Sequence, residues 1–142
     1  MTSSCHPDVH STRFILVETS QRGNVGAAAR AMKVMGFTDL VLVRPRFADV
    51  LTHEETLAFA SGAVDVLQRA RVVDRLEDAL DGVELLLGTA MTPRDFGPPC
   101  QAPRDGLPGV AERSIGLLFG CERFGLANED VYRCHALLSI PT

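Results

Sequence analysis

Five short apolar runs, Phe14–Val17, Leu40–Val43, Glu84–Leu87, Ser114–Phe119 and His135–Ile140, recur along the chain with helical or loop sequence between them. Runs of this length, rich in Val, Leu and Ile, read as strands buried on both faces. Parallel neighbours need a crossover, so strands alternating with helices predict an α/β fold: a mostly parallel sheet flanked by helices. The intervening sequence supplies the crossovers. Asn24–Met35 reads as a helix with Asn24 as N-cap and Gly36 as its stop. Glu54 to about Gln68 is helical with a break at Ser61-Gly62. Arg71–Val73 is a brief strand, Leu76–Leu80 a short helix, and Asn128 caps a helix running to about Arg133. Thr89 to Val110 contains five prolines and three glycines and is predicted to be one long loop, a length that in compact domains usually serves function.

At 142 residues the chain is sized for one domain, here residues 13–142, after a polar N-terminus (1–12) expected to be flexible. That segment has neither the basic flank nor the apolar stretch of a signal peptide. No apolar run approaches the ~18 residues of a membrane span. Cys5, Cys100, Cys121 and Cys134 show no CxxC spacing. Cys134 and His135, adjacent on a strand, would point to opposite faces, a poor chelate. The expectation is a cytoplasmic protein with reduced thiols, no metal and no membrane partner.

Charge is unevenly spread. The chain is −4 overall, yet residues 13–46 carry six cations against Glu18 and Asp39. An acidic protein does not bind nucleic acid indiscriminately, but a basic segment at one end can bind it at one place. The same segment holds the most unusual motif, Glu18 to Phe37, where Gly26, Arg30 and Lys33 stand at i, i+4 and i+7 of the predicted helix. They share one face, which reads as a surface for an anionic partner approaching closely. Val25, Ala29, Met32 and, roughly, Met35 form the opposite, core-facing stripe.

Ligands of parallel sheets bind beyond the carboxyl ends of the strands. The loops there carry the chemistry: Glu18–Gly26, the segment after Val43, Gly88–Arg94, and Gly120–Leu126, where two glycines flank Glu122 and Arg123. Dinucleotide binding through Gly23-x-x-Gly26-x-x-Ala29 has the wrong spacing, and Arg44 stands where an acidic residue should end the second strand. An NADP reading through Arg44 remains, without room for a substrate domain. A phosphate-binding P-loop fails because no Gly-Lys-Ser/Thr occurs.

The segments Glu18-Thr19-Ser20…Gly23-Asn24-Val25-Gly26…Ala29-Arg30-Ala31-Met32…Gly36-Phe37 and Leu118-Phe119-Gly120-Cys121-Glu122-Arg123-Phe124-Gly125-Leu126, with Asn128-Glu129 following, resemble the first and second motifs of the SpoU/TrmH-type RNA 2′-O-methyltransferases of the SPOUT superfamily. Cys134-His135…Ile140-Pro141-Thr142 is similar to the strand leading into their third. The Glu-Thr opening and Gly88-Thr89-Ala90 with the downstream arginine most resemble the bacterial tRNA enzymes acting on cytidine or uridine at nucleotide 32 of the anticodon loop. Action on rRNA or another tRNA position, or a noncatalytic RNA-binding or dimerisation module, are the alternatives.

The resemblance implies an α/β trefoil knot, S-adenosylmethionine as cofactor with S-adenosylhomocysteine as product, and a homodimer. It puts the cofactor at Thr89, Ala90, Met91, Gly120 and Ile140, and catalysis at Arg30, Asn24 and Glu122; the charges themselves make Arg22, Arg30, Lys33 and Arg123 the candidates for RNA contact, with ordinary solvated charge the alternative for Arg22, Lys33 and Arg123. Arg30 of one subunit would serve the other subunit's cofactor. A guanidinium resists deprotonation at neutral pH, and a neighbouring phosphate favours the charged form further. Arg30 is therefore expected to position the ribose hydroxyl and phosphate as a fork. The resemblance also implies a third motif, Asn-Pro-x-x-x-Ser-Leu-Asn-Leu, beginning directly after Thr142; the knot-completing segment is thus expected to be missing from this chain.

Overall fold

The computed structural model describes residues 12–90, 100–101, 114–120 and 133–139. The strands are β1 (Thr12–Val17), β2 (Asp39–Val43), β3 (Arg71–Val73), β4 (Leu85–Ala90), β5 (Cys100–Gln101), β6 (Ile115–Phe119) and β7 (Ala136–Ser139). They form one sheet in the order β3-β2-β1-β6-β4-β7-β5, and every pairing is parallel. The helices are α1 (Arg22–Met35), α2 (Glu54–Ala60), α3 (Val64–Arg69) and α4 (Leu76–Ala79), with a 3-10 turn at Ser61–Ala63 between α2 and α3.

Period-2 alternation sends successive strand residues to opposite faces. Ile15, Val17, Val41 and Val43 meet Leu76 and Ala79 of α4, together with Leu86, Leu118 and Cys134. Phe14, Leu40 and Leu42 meet Val25, Ala29 and Met32 of α1 and Ala60, Ala63, Val66 and Leu67 of the α2–α3 segment. The sheet is therefore covered on both faces, as the continuous apolar runs require. Cys134 is a buried, reduced thiol.

Most of the predicted elements are present, with three corrections. Helix α1 starts at Arg22; Gln21 is its cap residue, and Asn24 lies inside the first turn with its N–H on the Gln21 carbonyl at 3.2 Å. The backbone of Arg22-Gly23 already follows the helix, and Gln21 makes no side-chain cap hydrogen bond. At the other end Gly36 does stop the helix, at φ 88°. Its N–H reaches Lys33 O (3.1 Å) while Phe37 N–H reaches Met32 O (2.8 Å), a Schellman closure. Met35, expected in the core stripe, is 56% exposed, because helical drift turns it past the sheet. Finally, Thr89–Val110 is not loop throughout: Thr89 and Ala90 finish β4, and Cys100–Gln101 pairs with β7 at the sheet edge. A two-residue edge strand tolerates the prolines around it and leaves almost no periodic signal.

At the amino edge, Arg13 ties the first two strands to the chain leaving α4. Its Nε donates to Asp39 Oδ2 at 2.9 Å, and its guanidinium also donates to the carbonyls of Ala79 (2.8 Å) and Asp81 (2.6 Å). The break predicted at Ser61-Gly62 is real, with Ser61 at φ 54°. Helix α2 is capped by His53, whose Nδ1 accepts the Glu55 N–H at 3.0 Å, and Glu54 and Glu55 suit the positive end of the helix dipole.

Candidate functional site

The chain reverses its direction of travel across the sheet at the centre. Strands β1, β2 and β3 step one way, whereas β6 lies between β1 and β4. Crevices at such a switch point, beyond the carboxyl ends, are where open α/β sheets take ligands. In register, Leu16 lies opposite Phe119 and Gly88 opposite Leu118. One residue further, Gly120 therefore stands level with the ends of β1 and β4, between the Glu18 turn and Ala90.

The carboxyl edge is knitted by hydrogen bonds that continue the ladders into the loops. Glu18 N–H donates to Val43 O (2.8 Å), Arg44 N–H to Val73 O (2.9 Å) and Arg46 N–H to Thr19 O (3.0 Å). Glu18 and Arg44 both adopt left-handed backbone, φ 53° and 46°, an uncommon state for residues with a Cβ. Their side chains meet at 3.7 Å, and the Arg44 guanidinium also donates to Asp74 O at 2.8 Å. Arg44 is thus engaged within the fold, which argues against its use for a nucleotide phosphate, and Glu18 is its ion-pair partner.

On β4, Thr89 Oγ1 donates to Leu118 O at 3.1 Å and fastens β4 to β6. Its hydroxyl is spent on the fold. What the edge offers a cofactor is backbone, on a ledge of small residues made by Gly88, Thr89, Ala90 and Gly120. Main-chain groups of small residues are what Gly88, Thr89 and Gly120 contribute there, a donor set that fits a nucleoside-bearing cofactor. The predicted Met91, Glu122, Arg123 and Ile140 lie outside the described residues, as do Arg94 and Cys121. Among the described residues no cluster of His, Cys, Asp or Glu has the arrangement of a metal site.

The face proposed for Gly26, Arg30 and Lys33 is largely occupied by the protein itself. Gly26 is buried where α1 crosses α2, and a Cβ there would overlap the Thr56 carbonyl and stand 2.9 Å from Ala60 N. The close partner of this glycine is the α2 backbone, not an anion. Lys33 Nζ donates to Asp65 Oδ1 (2.9 Å) and Gly62 O (3.0 Å), stapling α1 to the start of α3. This ammonium is the main cause holding the Asp65 carboxyl below its usual range. Arg22, from the RNA-contact set, donates to Asp49 Oδ1 through Nε (3.1 Å) and Nη2 (3.0 Å) while stacking on Phe47, 3.8 Å from the ring centroid.

Arg30 differs from these. It is exposed and has no ion pair among the described residues. It lines a shallow depression with Ala27, Ala31, Val34, Met35 and Phe59. Val34 is 83% exposed and Phe59 54%, so the guanidinium stands in an uncovered apolar patch. Sequence reading missed this patch because it assigned Met35 to the core stripe, whereas Met35 is exposed beside Val34. Asn24, exposed in the first turn, lies on the same helix about 9 Å of rise before Arg30.

The fold and its carboxyl edge define a doubly covered parallel α/β protein with a ligand ledge at the switch point and a basic helix beside it. The chain belongs to the SpoU rRNA methylase family, whose model matches residues 11–142. It is 43% identical over 136 residues to tRNA (cytidine/uridine-2′-O-)-methyltransferase TrmJ of Citrobacter koseri, covering 93% of this chain and 55% of that protein. The chain spans about half the length of the curated relatives it matches. Among solved structures, a probable methyltransferase from Bordetella pertussis Tohama I is 43% identical with a TM-score of 0.82, the match covering 95% of this chain and 84% of that one. TrmJ from Z. mobilis ZM4 is 34% identical with a TM-score of 0.85, over 92% and 58% of the two chains. Among the described residues no helix is long and apolar enough to cross a membrane.

Proposed function

We propose that this chain is the catalytic domain of an S-adenosylmethionine-dependent tRNA ribose 2′-O-methyltransferase, with a trefoil-knotted SPOUT core, acting as a cytoplasmic homodimer. The observation that carries the reading is the meeting of three strand ends, the Glu18 turn, Thr89-Ala90 and Gly120, at the switch point beside α1. The 43% identity to a tRNA 2′-O-methyltransferase supports the substrate class, and cytidine or uridine 32 is the target we favour.

The ledge at Thr89, Ala90 and Gly120, with Met91 and Ile140 next in sequence, would hold the cofactor through main-chain groups. Bound S-adenosylmethionine supplies an electrophilic methyl group, so the ribose hydroxyl needs orientation more than strong activation. Arg30 provides that orientation: an always-charged planar fork that grips the 2′-oxygen and the adjacent phosphate together. Asn24 and Glu122 complete the polar surround. The exposed apolar patch around Arg30 supports dimerisation, since a second copy covering Val34, Met35 and Phe59 would carry Arg30 to the partner's ledge and exclude water from it.

The test is methylation of tRNA by the full-length protein, with the modified nucleotide mapped. Arg30→Ala should lower turnover by about a hundredfold or more, and Arg30→Lys should recover little of it, with S-adenosylhomocysteine affinity retained. Near-normal turnover in Arg30→Lys would remove the positioning role. Binding of RNA without binding of S-adenosylhomocysteine would favour a noncatalytic module instead.

A further inference from the structure

The RNA contacts expected from sequence do not survive equally, and the structure adds one that sequence did not single out. Among the described residues at the carboxyl edge, Arg22, Arg44 and Arg75 are each matched by an acidic partner. Arg46 is not: it is exposed, and its guanidinium has no ion pair or hydrogen bond among the described residues. Arg69 and Arg71 are also without such a partner, but they lie at the amino end of β3, on the far side from the ledge.

Arg46 is also held at its main chain. Its N–H is bonded to Thr19 O at 3.0 Å, and Thr19 is buried, so the residue is fixed to the loop that leads into α1. Beside it, Phe47 is covered by the Arg22 guanidinium, which Asp49 anchors in turn. The Arg46 guanidinium stands 5.9 Å from the same ring, within the range of a cation–π contact. The assembly therefore has one neutralised arginine, one aromatic spacer and one uncompensated arginine. Paired charges contribute little to a polyanion's binding, and uncompensated ones contribute through counterion release.

We propose that Arg46 contacts a phosphate of the substrate RNA, flanking the nucleotide that reaches Arg30, and that Arg22, Phe47 and Asp49 form the platform that aims it. The inference rests on the methyltransferase reading. It reassigns Arg22 from contact to platform. Eight residues separate Arg22 from Arg30 on α1, a rise of about 12 Å, so a cation beside Arg22 meets a neighbouring part of the strand and not the reacting ribose. Phosphate contact of this kind positions the strand without reading its sequence.

The test compares full-length wild type, Arg46→Ala and Arg46→Lys, using tRNA binding across a salt series, steady-state methylation, S-adenosylhomocysteine titration and thermal unfolding. For Arg46→Ala we expect a KM for tRNA raised about tenfold, kcat within about twofold of wild type, and a salt slope shallower by about 0.7. Arg46→Lys, still a point charge, should regain the slope and most of the KM. Cofactor-product affinity and the unfolding midpoint should not move. Wild-type KM and slope in Arg46→Ala would overturn the inference, as would a loss of cofactor-product affinity or stability that Lys does not rescue. A wild-type protein that transfers no methyl group to tRNA overturns the methyltransferase reading and this inference with it.

Discussion

Gly26 packs so closely on Thr56 that only a hydrogen fits between the α1 backbone and the Thr56 carbonyl oxygen. The glycine is there for a helix crossing. Gly26→Ala must push α2 away, with Ala60 N and Phe59 Cβ also crowded at 2.9 Å, and we expect a loss of about 3 kcal/mol from overpacking. Gly36→Ala is the control: nothing crowds the site, but φ is 88°, so backbone strain alone should cost about 1 kcal/mol. Denaturant midpoints of both variants check the ranking.

Thr56 itself is fully buried, and its hydroxyl has no hydrogen-bond partner among the described residues. A desolvated hydroxyl costs about 1–3 kcal/mol if unmatched. Thr56→Val preserves the shape and should stabilise the domain by about 1 kcal/mol in the same denaturation experiment. Destabilisation instead would mean that the hydroxyl has a partner.

The Lys33–Asp65 pair gives a signed pH dependence. The Lys33 hydrogen bond lowers the Asp65 pKa in the folded state from its usual 3.8. Its contribution to stability is therefore complete above that value and is lost as pH falls below it through the folded pKa. In Lys33→Met, the Asp65 carboxylate should titrate at higher pH than in wild type by NMR, and the acid limb of the stability curve should flatten. RNA affinity should change little, since this charge is already matched.

The apolar patch predicts how the subunits associate. Val34→Asp with Met35→Lys places charges where a second copy is expected to seat and should weaken association on the order of a hundredfold. Sedimentation would show monomers, and methylation should fall with the dimer fraction while the unfolding midpoint of the domain stays near wild type. Full association in the double variant would relocate the interface.

Much of this protein follows from its sequence alone. Continuous apolar runs mark strands buried on both sides whatever surrounds them, and Gly36 ends α1 because it supplies the left-handed residue that the closure needs. The motifs around Glu18–Phe37 and Gly120 were legible for the same reason: their residue types and spacings are local. The partners of exposed polar groups were not legible. Gly26, Arg30 and Lys33 share a helix face by periodicity, yet α2 and α3 take Gly26 and Lys33 and leave Arg30 uncovered. Likewise Arg22 and Arg46 are alike in sequence, but only the packing of the segment after β2 against the Thr19 loop gives Asp49 to one and leaves the other bare. Periodicity reports which side of an element a residue occupies; which charges remain for a ligand depends on contacts between distant segments, and those the tertiary structure decides.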